Sequence, residues 1–112
     1  MTAAAGTSIV IVLTTLGVDE DAAALARLLV EERLAACVNV VPGLTSLYRW
    51  KGSVEQDEEQ LLVIKTTAEL IEPLKTRLLA LHPYELPEFL VLPVSGGSDA
   101  YLRWVDESVL RR

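Results

Sequence analysis

The run Ile9-Val10-Ile11-Val12-Leu13 is apolar at every position and mostly β-branched, which predicts a strand. Residues 14–18 read as a loop. Asp19 is a candidate N-cap, with Glu20 and Asp21 at the positive end of the helix dipole. Ala22, Leu25, Ala26 and Leu29 then recur at helical spacing while Arg27 and Glu31 face away, so a helix is expected over residues 20–34. A second strand starts near Cys37, is interrupted by Pro42-Gly43 as a bulge or bend, and resumes over residues 44–50. Lys51-Gly52 suits a hairpin tip, and a third strand follows over residues 54–66. Both arms exceed the usual strand of about 5–6 residues.

Thr66-x-x-Glu69 has the form of a capping box ahead of an apolar stripe made by Leu70, Ile71, Leu74, Leu78 and Leu81. Pro73 is compatible with that helix only if it starts near Leu70 or kinks, and Pro83 ends it. Residues 88–94 read as a fourth strand, placed at an edge by Pro87 and Pro93. Gly96-Gly97 breaks the chain, and Ser98 caps a last helix carrying Leu102, Val105 and Val109. The order βαββαβ plus a C-terminal helix is the ferredoxin-like α+β pattern, with an antiparallel sheet and a long hairpin between the second and third strands. The expected layout is a flexible start over residues 1–7 and a single domain over residues 8–112.

One feature of the pattern exceeds what a lone domain needs. The first strand and residues 61–64 of the third are continuously apolar, so both of their faces require cover. Two helices on one side cannot supply it. Self-association through the open sheet face, as a closed homo-oligomeric ring, is the simplest solution.

Composition narrows the function classes. Of 112 residues 51% are hydrophobic, which excludes a disordered chain, and the net charge of −6 with a pI near 4.7 argues against nucleic acid, which wants a basic face. No run approaches the roughly 18 apolar residues of a membrane span, and the first residues lack the basic region of a signal peptide. The single cysteine, Cys37, has no internal partner and no CxxC companion; it reads as a buried inert thiol in a reducing cytoplasm.

The candidate chemistry is sparse. His82, the only histidine, lies in LHPYELPE beside Tyr84, Glu85 and Glu88. It suits a metal ligand, an acid/base group or a helix terminus. Glu55, Asp57 and Glu59 share one strand face, which suits a hard cation or a solvated arm; Glu59, nearest the apolar stretch, is the one expected to be buried, paired with Lys65 or an aromatic hydroxyl. Tyr48 and Trp50 in SLYRWKG suit interface anchors. Gly96-Gly97-Ser98 before a helix lacks the spacing of a phosphate loop. No catalytic motif is present, and the expectation is a protein that is not an enzyme.

Taken together, RLAACVN at 33–39, SLYRWKG at 46–52, the strand from Glu59 to Lys65-Thr66, HPYELPE at 82–88 and the stretch from Tyr101 to Trp104 resemble the CutA divalent-cation tolerance proteins over almost the full length. The resemblance implies a ferredoxin-like fold, a cytoplasmic homotrimer and a role in divalent metal ion tolerance, with copper as the candidate ion. Copper-binding bacterial relatives carry cysteine at the position of Thr14 and histidine at that of Leu81, so of that set only His82 remains here. Threonine and leucine do not replace thiolate and imidazole as soft-metal ligands. His82, joined to carboxylates across subunits, is then the expected ligand of a weak divalent-cation site. The wider expectation is an intersubunit pocket holding Tyr48, Trp50, Glu59, Lys65, His82, Tyr84 and Glu88. In it Lys65 and His82 would hold an anionic or polar ligand and the aromatics would form the walls. The alternatives are a small-molecule-binding regulatory trimer and an acid/base enzyme using His82.

Overall fold

A computed structural model describes residues 6–111. The chain runs β1 (Ile9–Gly17), α1 (Ala22–Glu31), β2 (Cys37–Trp50), β3 (Ser53–Thr67), a 3-10 turn (Ala68–Leu70), α2 (Ile71–Leu81), β4 (Leu90–Pro93) and α3 (Asp99–Glu107). The sheet order is β2-β3-β1-β4 with every pair antiparallel, which is the expected ferredoxin-like arrangement. Of the start expected to be flexible, residues 1–5 lie outside the described residues; Thr7 bonds Val94 through both its amide and its hydroxyl. No helix among the described residues is long and apolar enough to cross a membrane.

The departures from expectation each have a structural cause. Residues 14–17 continue β1 instead of looping, because the long β3 offers partners as far as Glu59, which pairs with Gly17. Asp21, not Asp19, caps α1, its carboxylate accepting from the Ala24 amide at 3.0 Å. That helix stops early because Arg33 turns left-handed at φ 61° and the Leu34 amide folds back onto the Leu29 carbonyl. The capping box does not form. Thr66 pairs with Val10 on the core face of the sheet, and its hydroxyl donates to the Leu34 carbonyl at 2.8 Å. Pro73 is harmless, since it is the third residue of α2, where the amide has no intrahelical partner to lose.

The remaining punctuation matches. The register of β2 slips between Val41 and Leu44, and Gly43 has φ 79° there. Lys51 and Gly52 at the hairpin tip have φ of 48° and 87°, the two positive values of a type I′ turn. Ser98 caps α3 through the Tyr101 amide.

Side-chain alternation divides the sheet into two unequal faces. Val12, Leu62 and Ile64 point to the helices and form the core with Leu29, Leu74 and Leu78, all fully buried. Ile11, Leu13, Leu61 and Val63 occupy alternate positions and face the other way, in register with Leu90 and Leu92 of β4. On that underside α3 covers one end, where Val105 and Val109 pack with Ile9 and Leu70. Beyond it the surface is apolar and open: Leu90 is 55% exposed and Leu92 46%.

Candidate ligand pocket

Three segments meet at the end of the sheet away from α3: the paired arms of β2 and β3, the end of β1, and the joint between α2 and β4. His82 ties the joint down. Its amide closes α2 onto the Leu78 carbonyl, and its ring is buried. The Tyr84 amide donates to Nδ1 at 3.1 Å, which leaves the ring proton on Nε2; that nitrogen donates to the Thr15 carbonyl at 2.7 Å. The imidazole therefore clamps the joint to β1 and lies edge-on to Tyr84, with centroids 4.7 Å apart.

Held in this way, Tyr84 reaches across to the hairpin and donates its hydroxyl to Glu59 Oε2 at 2.6 Å. Glu59 is only 6% exposed. Of the two partners expected for it, the aromatic hydroxyl is the one present. Burial first, and then the Glu59 hydrogen bond, push the Tyr84 phenol above its ordinary value. Tyr48, on the neighbouring arm, donates to Asp57. That bond is the largest of the influences that push the Tyr48 phenol up to about 12. Glu88 is raised as well, by burial and then by the charge of Glu59.

The Tyr48 value gives a direct check. A tyrosinate absorbance titration is expected to show Tyr48 ionising near pH 12, and Asp57→Asn should bring that transition down toward the ordinary value near 10, since the charged acceptor is replaced by a neutral amide. A transition at the same pH in the variant would contradict the assignment.

Tyr48, Glu59, Tyr84 and Glu88 line one concavity of about 490 Å³. Trp50 lines an adjoining one of about 510 Å³ that shares Tyr48 and Tyr84 and is bordered by Asp57. Five of the seven residues expected in the pocket are thus brought together. His82 stands behind them as a clamp. Lys65 is elsewhere: it lies six residues from Glu59 on the same strand, roughly 20 Å away, with its ammonium 3.3 Å from the Tyr101 hydroxyl under α3. Asp57, weighed in the sequence chiefly as a solvated arm residue, is the acceptor for Tyr48; its alternation with Glu59 along β3 is the signal that links them. Gly17 and Leu86 also border the concavities and carry no signal in the sequence.

The donor set does not suit a soft metal ion. Both nitrogens of His82 are engaged by backbone groups. Thr14 is fully buried on the core face, its hydroxyl without a hydrogen-bond partner among the described residues, and Leu81 is the apolar last residue of α2. Among the described residues no three His, Cys, Asp or Glu side chains form a group able to hold a metal. Cys37 is half-buried on the sheet underside, with Asn39 Oδ1 3.9 Å from its sulfur.

A family model described as CutA1 divalent ion tolerance protein matches residues 10–108. The chain is 53% identical over 98 residues to the divalent-cation tolerance protein CutA of Thermus thermophilus, covering 88% of this chain and 95% of that one. It is 48% identical over 99 residues to the chloroplastic protein CutA of Arabidopsis thaliana, covering 88% of this chain and 54% of that longer protein. The solved divalent cation tolerance protein from Thermus thermophilus superposes with a TM-score of 0.87 at 51% identity, over 90% of this chain and 98% of that one.

Proposed function

The chain belongs to the CutA1 divalent ion tolerance family, and from that premise we propose that it acts as a homotrimer in the response to divalent metal ions, binding a small ligand in the pocket between hairpin and joint. The observation that carries this reading is the open apolar underside. Ile11, Leu13, Leu61, Val63, Leu90 and Leu92 form one continuous strip that α3 leaves uncovered. An exposed strip of that kind marks an interface. The sheet also ends in two unpaired edges, β2 and β4, so copies can meet head to tail and close a ring. The pocket lies at one end of the strip, where a neighbouring copy would wall it. Light scattering at micromolar concentration is expected to give three times the chain mass; a stable monomer would overturn the proposal.

Binding is favoured over catalysis because His82, the natural acid/base candidate, has both ring nitrogens committed to backbone partners. The same commitment weighs against copper at this residue. Calorimetric titration with copper is expected to give equal heats for wild type and His82→Ala. A loss of heat in the variant, with the trimer intact, would restore His82 as a ligand. A cytoplasmic setting accords with the lone thiol of Cys37.

A further inference from the structure

The two concavities have one electrostatic sign. Five carboxylates line the larger and Glu59 and Glu88 line the smaller, while no lysine, arginine or histidine among the described residues lines either. The Lys51 ammonium lies 4.0 Å from Glu85, which borders the larger concavity, with both side chains largely exposed.

Glu59 carries the argument further. The residue as a whole is only 6% exposed, and among the described residues its one hydrogen-bond donor is the neutral phenol of Tyr84, on Oε2. Oε1 has no donor and belongs to a side chain that lines the smaller concavity. A buried carboxylate is costly to hold without a counter-charge. Glu88, in the same concavity, is also partly buried and repelled by Glu59, so two acidic groups share a space to which the described residues of this chain contribute no cation. Tyr48 and Tyr84 line the same concavity. Aromatic faces attract cations, most strongly where water is excluded.

We propose that the concavity lined by Tyr48, Glu59, Tyr84 and Glu88 binds a small organic ammonium ion, with the charged nitrogen donating to Glu59 Oε1 and Glu88 and the carbon skeleton lying against the two phenol rings. This deepens the proposed binding role and names the ligand class of the same pocket. A bare divalent ion suits it less well. Hard cations want several oxygens converging within about 2.0–2.6 Å, and no group of three donors is present among the described residues. One oxygen each of Asp57 and Glu59 is taken up by a phenol. A space of about 490 Å³ is the size of a small-molecule site. An anion is opposed by the carboxylates that this chain contributes to the walls.

The test is a charge series on one skeleton, followed by NMR titration of the intact protein: benzylammonium, benzyl alcohol and benzoate. Saturable shifts at Tyr48, Tyr84 and their backbone neighbours are expected for benzylammonium alone. Glu59→Gln is expected to weaken it about tenfold or more, because a charge-assisted hydrogen bond and its counter-charge are lost together. Glu88→Gln, closer to solvent, serves the same purpose if the Glu59 variant does not fold, with a several-fold loss expected. Benzoate binding as well as benzylammonium, unchanged affinity in a folded variant, or no saturable shift with any of the three would overturn the inference. The mass measured in the same samples separates the two proposals. A trimer that ignores benzylammonium defeats this one and leaves the oligomeric reading standing. A monomer that binds it does the reverse.

Discussion

Replacing Leu13 with aspartate is expected to split the protein into single chains. Leu13 sits mid-strip on the underside, opposite Val63 on one side and Leu90 on the other. Within one chain it is only half-buried, so the substitution leaves the helix-facing core untouched. In a ring it would place three carboxylates in surfaces that have just left water. Losing the burial of a leucine costs about 1.5–3 kcal/mol, and an unpaired carboxylate adds to that. A loss of about 3 kcal/mol is roughly a hundredfold in affinity, felt once for each copy. Light scattering at micromolar concentration should then report the mass of one chain, with helical circular dichroism retained. Leu79→Asp, on the exposed outer side of α2, is the matched control and should leave the mass unchanged. A Leu13→Asp protein that remains trimeric would place the interface on some other surface.

The elements were legible because each is written in a local pattern. A β-branched run, two helical stripes, a bulge at Pro42-Gly43 and a tip at Lys51-Gly52 all translate into backbone geometry through the residues that carry them. What the pattern misplaced were groups recruited over a distance. Thr66 belongs to the core face of β3 and donates to Leu34, a partner 32 positions away, so its match to a capping box was an accident of spacing. The extension of β1 through Gly17 depends on how far β3 reaches, which a strand does not reveal about its partner. The pocket divides along the same line. Tyr48, Glu59, Tyr84 and Glu88 gather because the arms carry two of them back toward the joint that carries the others. Residue identity marked all four. Lys65 was marked equally well, but its place along β3 delivers it to Tyr101 at the far end. For His82 the decisive partners are a backbone carbonyl and a backbone amide, groups that nearly every residue possesses and that side-chain identity does not distinguish.

Adjacent leucines on β3 make the division between the two sheet faces measurable. Leu62 is fully buried among Val12, Leu29 and Leu74 on the helix side, while Leu61, one position earlier, faces the underside and is only half-buried. Leu62→Ala removes three carbons, Cγ and its two methyls, from a close-packed site that backbone pairing on both sides keeps from collapsing, since β3 is bonded to β1 and β2 alike. The expected loss is about 3 kcal/mol, inside the usual 2–5 for such a truncation, and an apparent Tm lower by about 10–20 °C. Leu61→Ala deletes the same atoms from a surface that one chain leaves half open. Its effect on the folding of a chain should be about 1 kcal/mol or less, with the larger share appearing as weaker assembly at low concentration. Because assembly stabilises the folded chain by mass action, the two variants are compared at equal chain concentration and over a dilution series. The Leu62 deficit should persist unchanged on dilution, and the Leu61 deficit should shrink toward its single-chain value as both proteins dissociate. Dilution curves that run parallel for the two would mean that both leucines are covered by the chain's own fold, and the underside would then need no second copy.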